Sequence, residues 1–150
     1  MTFEEMTLDL EQHVEIKAAI GDVFKGMLHR FGEGNTKPDG EPMPMILEPW
    51  AGGRWFRDRG AGIGHLWAHV QVIKPPTLLE LSGPMFMSYP ALNHVEVRLD
   101  PVGGGTRVTL RHRAIGFLDA NHRKGVGPGW RHMLDKIAQD LAGVAMAQRG

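Results

Sequence analysis

Histidine, tryptophan and methionine are the residues here whose chemistry stands out: eight, four and nine of them in a chain of 150 with no cysteine. Without cysteine there is no disulfide framework, no thiolate metal site, no iron–sulfur cluster and no cysteine nucleophile. His65 and His69 carry the spacing that would set two imidazoles on one face of a helix. Their segment alternates like a strand, however, and on a strand four residues span about 13 Å, too far for two ligands of one ion. No His-Glu-x-x-His pattern accompanies them. Neither a metal nor a cofactor is expected.

His112 is the histidine placed to matter. Thr106, Val108, Leu110 and Ala114 share its face of a strand, so its ring should point inward while Arg111 and Arg113 point to solvent. Two readings stay open: a core histidine hydrogen-bonded to a neighbour, or a single polar group that anchors a ligand or moves a proton in an apolar pocket. A catalytic acid or base, if the chain has one, would be His112, yet no partner to orient it can be named. Trp50, Trp55, Trp67, Tyr89 and Trp130, with Met85, Phe86, Met87 and Met133, supply large, adaptable apolar surface. Of these, Trp55, Trp67, Met87, Tyr89, Trp130 and Met133 are expected to wall a ligand cavity with His112 as its polar anchor. Gly83 to Pro90 reads as a cavity rim with exposed apolar residues, and an oligomer interface such as a homodimer contact would read the same way.

The elements that must position these residues follow from periodicity. Leu8, Leu10, Val14 and Ile16 alternate with Asp9, Glu11, His13 and Glu15, which predicts a strand with one wet face. Ile20, Val23, Phe24, Met27, Leu28 and Phe31 recur at helical spacing, with Asp22 in the first turn, His29 and Arg30 in the last and Gly32 as a stop. Glu33 to Pro44 has the composition of a loop with room for one helical turn. Strand-like runs follow at Met45 to Trp50, Arg54 to Asp58, His65 to Ile73, Thr77 to Ser82, Asn93 to Asp100 and Thr106 to Ala114, the last two joined as a hairpin. Trp130, Met133, Leu134, Ile137, Ala138, Leu141 and Ala145 then form one stripe of a long helix from Gly129 to Gly143, opened by Gly127-Pro128. Gly60-Ala-Gly-Ile-Gly64 is no dinucleotide loop, because a strand follows it rather than a helix. Strand, helix, six strands and a long helix make an α+β domain over residues 1–150.

Seventeen Lys plus Arg balance seventeen Asp plus Glu, so no net field steers the chain to nucleic acid or an anionic membrane. The acidic opening MTFEEMTLDLEQ lacks the basic and apolar regions of a secretory signal, and no run of about 18 apolar residues occurs. A soluble cytoplasmic protein is expected. The balance conceals an asymmetry: residues 1–16 hold Glu4, Glu5, Asp9, Glu11 and Glu15 without a Lys or Arg, whereas 107–131 hold Arg107, Arg111, Arg113, Arg123, Lys124 and Arg131 against Asp119 alone. If first and last strands are neighbours, Asp9, Glu11 and Glu15 pair with Arg107, Arg111 and Arg113.

The order of these elements, with Val14-Glu-Ile-Lys-Ala-Ala-Ile-Gly-Asp-Val-Phe-Lys25, Gly52-Gly-Arg-Trp55, Val70-Gln-Val-Ile-Lys-Pro-Pro-Thr-Leu-Leu-Glu80 and Gly129-Trp-Arg-His-Met-Leu-Asp-Lys136, resembles the SRPBCC (START/Bet v 1-like) superfamily. Its nearest branch is the bacterial family similar to the activator of Hsp90 ATPase. The resemblance runs from Leu8 to Gly143. It implies a helix-grip fold, a curved antiparallel β-sheet wrapped around a long C-terminal α-helix, with a cavity that in many members takes a small hydrophobic or aromatic molecule. It carries no common catalytic residue. The function expected is ligand binding without catalysis. Two alternatives are a cyclase or aromatase-like enzyme using the same pocket and a stress-response protein that binds a chaperone of the Hsp90 type.

Overall fold

The computed structural model describes residues 2–149, with side chains described for 2–142. The alternating first segment is strand β1 (Thr7–Ile16), packing Leu8, Leu10 and Val14 inward and leaving Asp9, Glu11, His13 and Glu15 in solvent. Helix α1 (Ile20–Phe31) buries Val23, Phe24, Met27 and Phe31, and the Gly32 N–H closes it on the carbonyls of Leu28 and His29. Strands β2 (Ile46–Leu47), β3 (Arg54–Asp58), β4 (Gly64–Lys74), β5 (Leu78–Gly83), β6 (Ala91–Val102) and β7 (Gly105–Gly116) follow, then helix α2 (Ala120–Arg149). The strands form one antiparallel sheet in the order β1-β7-β6-β5-β4-β3-β2. This is the helix-grip α+β fold, a curved sheet around the long C-terminal helix.

The longest hairpin, β6 to β7, turns on Gly103 and Gly104 at φ 53° and 81°, a left-handed conformation that suits the twist of the flanking strands and costs glycine little. Across the β1/β7 seam Arg107 pairs with Glu15 at 2.7 Å. Arg111 reaches diagonally to Asp9 through two bonds of 3.0 and 2.8 Å, although Glu11 is its register partner. Among the described residues Glu11 and Arg113 form no ion pair. The concave side of the sheet (Leu79, Leu81, Val95, Val97, Val108 and Leu110) meets Met27 and Phe31 of α1 and Leu134 and Ile137 of α2, all fully buried. The side chain of Ala145, expected on the same stripe, lies outside the described residues.

Three segments differ from expectation. The strand expected over Met45 to Trp50 shortens to β2, because Trp50 and Gly53 fold back on the Glu48 and Trp50 carbonyls in a turn. The 33–44 loop holds a Thr36–Pro42 bridge and two backbone-directed bonds at Asn35 and Met43 rather than a helical turn. The long helix starts at Ala120, not at Gly129. The Asp119 carboxylate caps it by accepting from the N–H groups of Asn121 at 2.8 Å and His122 at 3.3 Å. Arg123 donates to the carbonyls of Glu5 and Thr7, and Gln12 donates to the Gly127 carbonyl at 2.8 Å. These contacts with β1 and the residues just before it hold a helical turn through Gly125-Val-Gly-Pro-Gly129, whose intrinsic propensity opposes it.

Candidate functional site

A cavity of about 360 Å³ lies between the first half of α2, the 35–43 loop, β3, β4 and Phe86. One irregularity in the sheet brings Trp67 into its aromatic wall. Trp55 pairs with Ala68 and Phe56 with Leu66, so Trp67 is an extra residue on β4. The bulge resets the alternation: Leu66 is exposed, Trp67 lines the cavity and Ala68 is buried. Trp67 meets Trp55 edge-on at 5.1 Å and Phe86 edge-on at 5.7 Å. Behind them Phe31 stacks on Trp55 at 5.2 Å and tilts against Trp130 at 6.0 Å. Such offset and edge contacts fix each ring's orientation as well as its burial.

Both inner indole N–H groups are already bonded. Trp55 donates to the Phe31 carbonyl at 2.7 Å, and Trp130 donates to Nδ1 of His112 at 2.9 Å. This second bond settles the state of His112. With Nδ1 accepting, Nε2 carries the proton and donates to Oδ1 of Asn93 at 2.7 Å. Burial, with a smaller contribution from His94, pulls its pKa down to about 4. His112 is a fully buried neutral imidazole with both nitrogens engaged, standing behind Trp130 rather than on the cavity wall.

Of the residues expected to wall a ligand cavity, Trp55, Trp67, Trp130 and Met133 line this one. Three expected residues lie elsewhere. His112 is sealed as described. Met87 is buried with Ala114 and Leu118 in a separate small cluster. Tyr89 packs against that cluster and bonds His122, which lines the cavity. Met85 and Met87 of the expected rim loop are both buried, and Phe86 between them faces the cavity. Trp50 is exposed at the β2/β3 turn. Met43, Val126, His122 and His132 are among the other lining residues. The helical extension that carries Val126 and His122 was hidden by its glycines, but His132 sits inside the recognised helix, two residues past Trp130.

Polar groups enter from the rim. His122 and Tyr89 are joined through Nδ1 and the phenolic oxygen at 2.8 Å, their rings stacked, and Phe86 meets the imidazole edge-on at 5.2 Å. On another side Nε2 of His132 meets the Thr36 hydroxyl at 2.9 Å. Burial lowers the His132 pKa, as do the nearby Lys136 and Arg30 charges. Lys37 also lines the rim, and its ammonium reaches Glu41 at 3.4 Å. Among the described residues no carboxylate lines the cavity, and no three metal-ligating side chains converge anywhere. His65 packs edge-on against Trp67, and His69 is exposed on the far side of the bulge. No helix of the described residues is long and apolar enough to cross a membrane.

Known proteins agree with this architecture. The fold is shared with protein CV1439 from Chromobacterium violaceum (TM-score 0.70, 15% identity, 89% of this chain and 96% of that one). It is shared with Ara h 8.0201 (TM-score 0.69, 12% identity, 91% and 99%). The di-domain ARO/CYC StfQ from the steffimycin biosynthetic pathway also matches (TM-score 0.66, 13% identity, 94% of this chain and 53% of that one). No curated protein matches the chain. Residues 29–142, three quarters of its length, match the family described as Activator of Hsp90 ATPase homolog 1-like protein. With that match and the helix-grip architecture, the chain belongs to the Activator of Hsp90 ATPase homolog 1-like family, within the Bet v 1-like fold.

Proposed function

We propose that this protein binds a small apolar or aromatic molecule in the cavity beneath the first half of α2. The observation that carries the reading is a preformed space of about 360 Å³ walled by Trp55, Trp67, Phe86 and Trp130, in which the Trp55 and Trp130 N–H groups are already satisfied by the protein. Apolar walls with few polar groups at the margin are what a small-molecule site requires. A ligand here replaces water against ring faces and leaves no buried indole donor unpaired. The fold family binds hydrophobic ligands, which supports the same reading. Native mass spectrometry of protein purified from its own host tests it. A retained small molecule released on denaturation is the expected result; the bare protein mass, with no uptake of added naphthalene, overturns it.

The cyclase or aromatase-like alternative keeps one supporting observation. His122 and His132 place two imidazoles at the cavity, while His112, the acid or base anticipated from sequence, has both nitrogens engaged elsewhere. Proton transfer in this pocket would fall to the two rim histidines.

A further inference from the structure

Resting on the cavity reading above, we infer that the ligand is a planar aromatic bearing a hydrogen-bonding oxygen, and that His122, positioned by Tyr89, recognises that oxygen. Three sides of the imidazole are accounted for: Tyr89 stacks on one face, Phe86 meets it edge-on, and the Tyr89 hydroxyl holds Nδ1 at 2.8 Å. Asp119 fixes the backbone beneath it by accepting from the His122 N–H. Among the described residues Nε2 has no hydrogen-bond partner, and the residue lines the cavity. A ring clamped this firmly, with one nitrogen left open beside four aromatic walls, is preorganised for a polar atom on an otherwise apolar ligand.

The chemistry of that atom follows from what surrounds it. When the Tyr89 hydroxyl donates to Nδ1, Nε2 carries the proton and presents an N–H to the cavity. His132 is arranged in the same way: the Thr36 hydroxyl holds its Nε2 and leaves Nδ1 open. With both hydroxyls donating, two imidazole N–H groups join the Lys37 ammonium at the lining and no carboxylate among the described lining residues opposes them, which favours an oxygen acceptor over an ammonium group. Three indoles and a phenyl ring line the cavity, a wall that suits a flat fused ring better than a branched aliphatic chain.

Equilibrium dialysis with naphthalene and 2-naphthol, which differ by one hydroxyl, separates this inference from the cavity reading it rests on. Wild-type protein is expected to take up both and to hold 2-naphthol about tenfold more tightly, the scale of one hydrogen bond made in an apolar site. His122→Ala should abolish most of that preference, bringing the two affinities within about twofold of each other. Tyr89→Phe keeps the stacked ring and removes the hydroxyl, so it should lower the preference by a smaller factor and leave naphthalene untouched. Equal wild-type binding of the two probes overturns the inference and leaves the cavity reading standing. Equal loss of both probes in His122→Ala also overturns it, since the histidine would then be structural. Failure of wild-type protein to bind either probe overturns the cavity reading as well.

Discussion

The two halves of α2 are built for opposite purposes. From Leu134 to Leu141 the helix is sealed against the fold: Leu134 and Ile137 are fully buried, Leu141 packs over the site of a Cβ at Gly26 at 3.6 Å, and Asp140 receives Arg30 of α1 through bonds of 2.5 and 2.7 Å. From Ala120 to Gly129 the same helix is tied to β1 through Gln12 and Arg123 and passes over the cavity. Gly125 and Gly129 line the cavity, and a Cβ built on either meets nothing within 4 Å. The space is thus left by residue choice in one half while the other half anchors the helix. Stability and binding should separate along α2, and substitutions in each half test that separation.

Leu134→Ala carries the largest expected effect. It removes a fully buried side chain from the sealed half, where neighbours on α1 and the sheet cannot collapse into the space. A loss of about 3 kcal/mol is expected in urea denaturation. The same truncation at Val126, which borders the existing cavity, should cost clearly less. Equal losses at the two positions would break the contrast between the halves.

Acid should expose the boundary between them. His112 lies behind Trp130, where the two halves meet, and burial depresses its folded pKa from 6.5 to about 4. Between those values the unfolded chain binds a proton that the folded chain refuses, so stability falls as pH drops from about 6.5 and levels off below about 4. The total loss is on the order of 3 kcal/mol. Burial depresses His132 as well and acts in the same direction. Carboxylates held down by arginines, such as Glu48 with its pKa near 2 beside Arg54, lose their contribution only at lower pH, from about 4.5 downward. Urea midpoints measured from pH 7.5 to 4.5 should therefore decline in wild-type protein and flatten in His112→Gln. A flat wild-type profile over that range would show that His112 is not held neutral.

What could be read from sequence follows the same divide. The alternation of β1, the amphipathic α1, the β6/β7 hairpin and the sealed stripe of α2 were legible because each buries one face, and burial imposes a period. The β1/β7 pairing was legible from opposite charges at Asp9, Glu15, Arg107 and Arg111. The first half of α2 was not: Gly125, Gly127, Pro128 and Gly129 deny a helix locally, and it forms because Asp119 caps it and β1 holds it. Trp67 was recognised as wall material, but the bulge that turns it to the cavity leaves no periodic trace. His112 was placed inward correctly, and its role was not visible because Asn93 and Trp130, which use up its nitrogens, come from distant segments.

Gly125→Ala has the smallest expected effect and asks most directly why the open half is open. Alanine exceeds glycine in helix propensity by about 1 kcal/mol at an interior position, and nothing in the protein obstructs the added methyl. The substitution should raise stability by roughly that amount, opposite in sign to Leu134→Ala. The methyl group enters space next to the cavity, so naphthalene affinity should fall although the fold is firmer. Gly21→Ala in α1 is the matched control: its Cβ also meets nothing within 4 Å, it lies outside the cavity lining, and it should stabilise without changing affinity. If Gly125→Ala stabilises and binding is unchanged, the glycine serves no ligand. If stability rises while affinity falls at Gly125 alone, the low helix propensity of this segment is retained for the volume it leaves to the ligand.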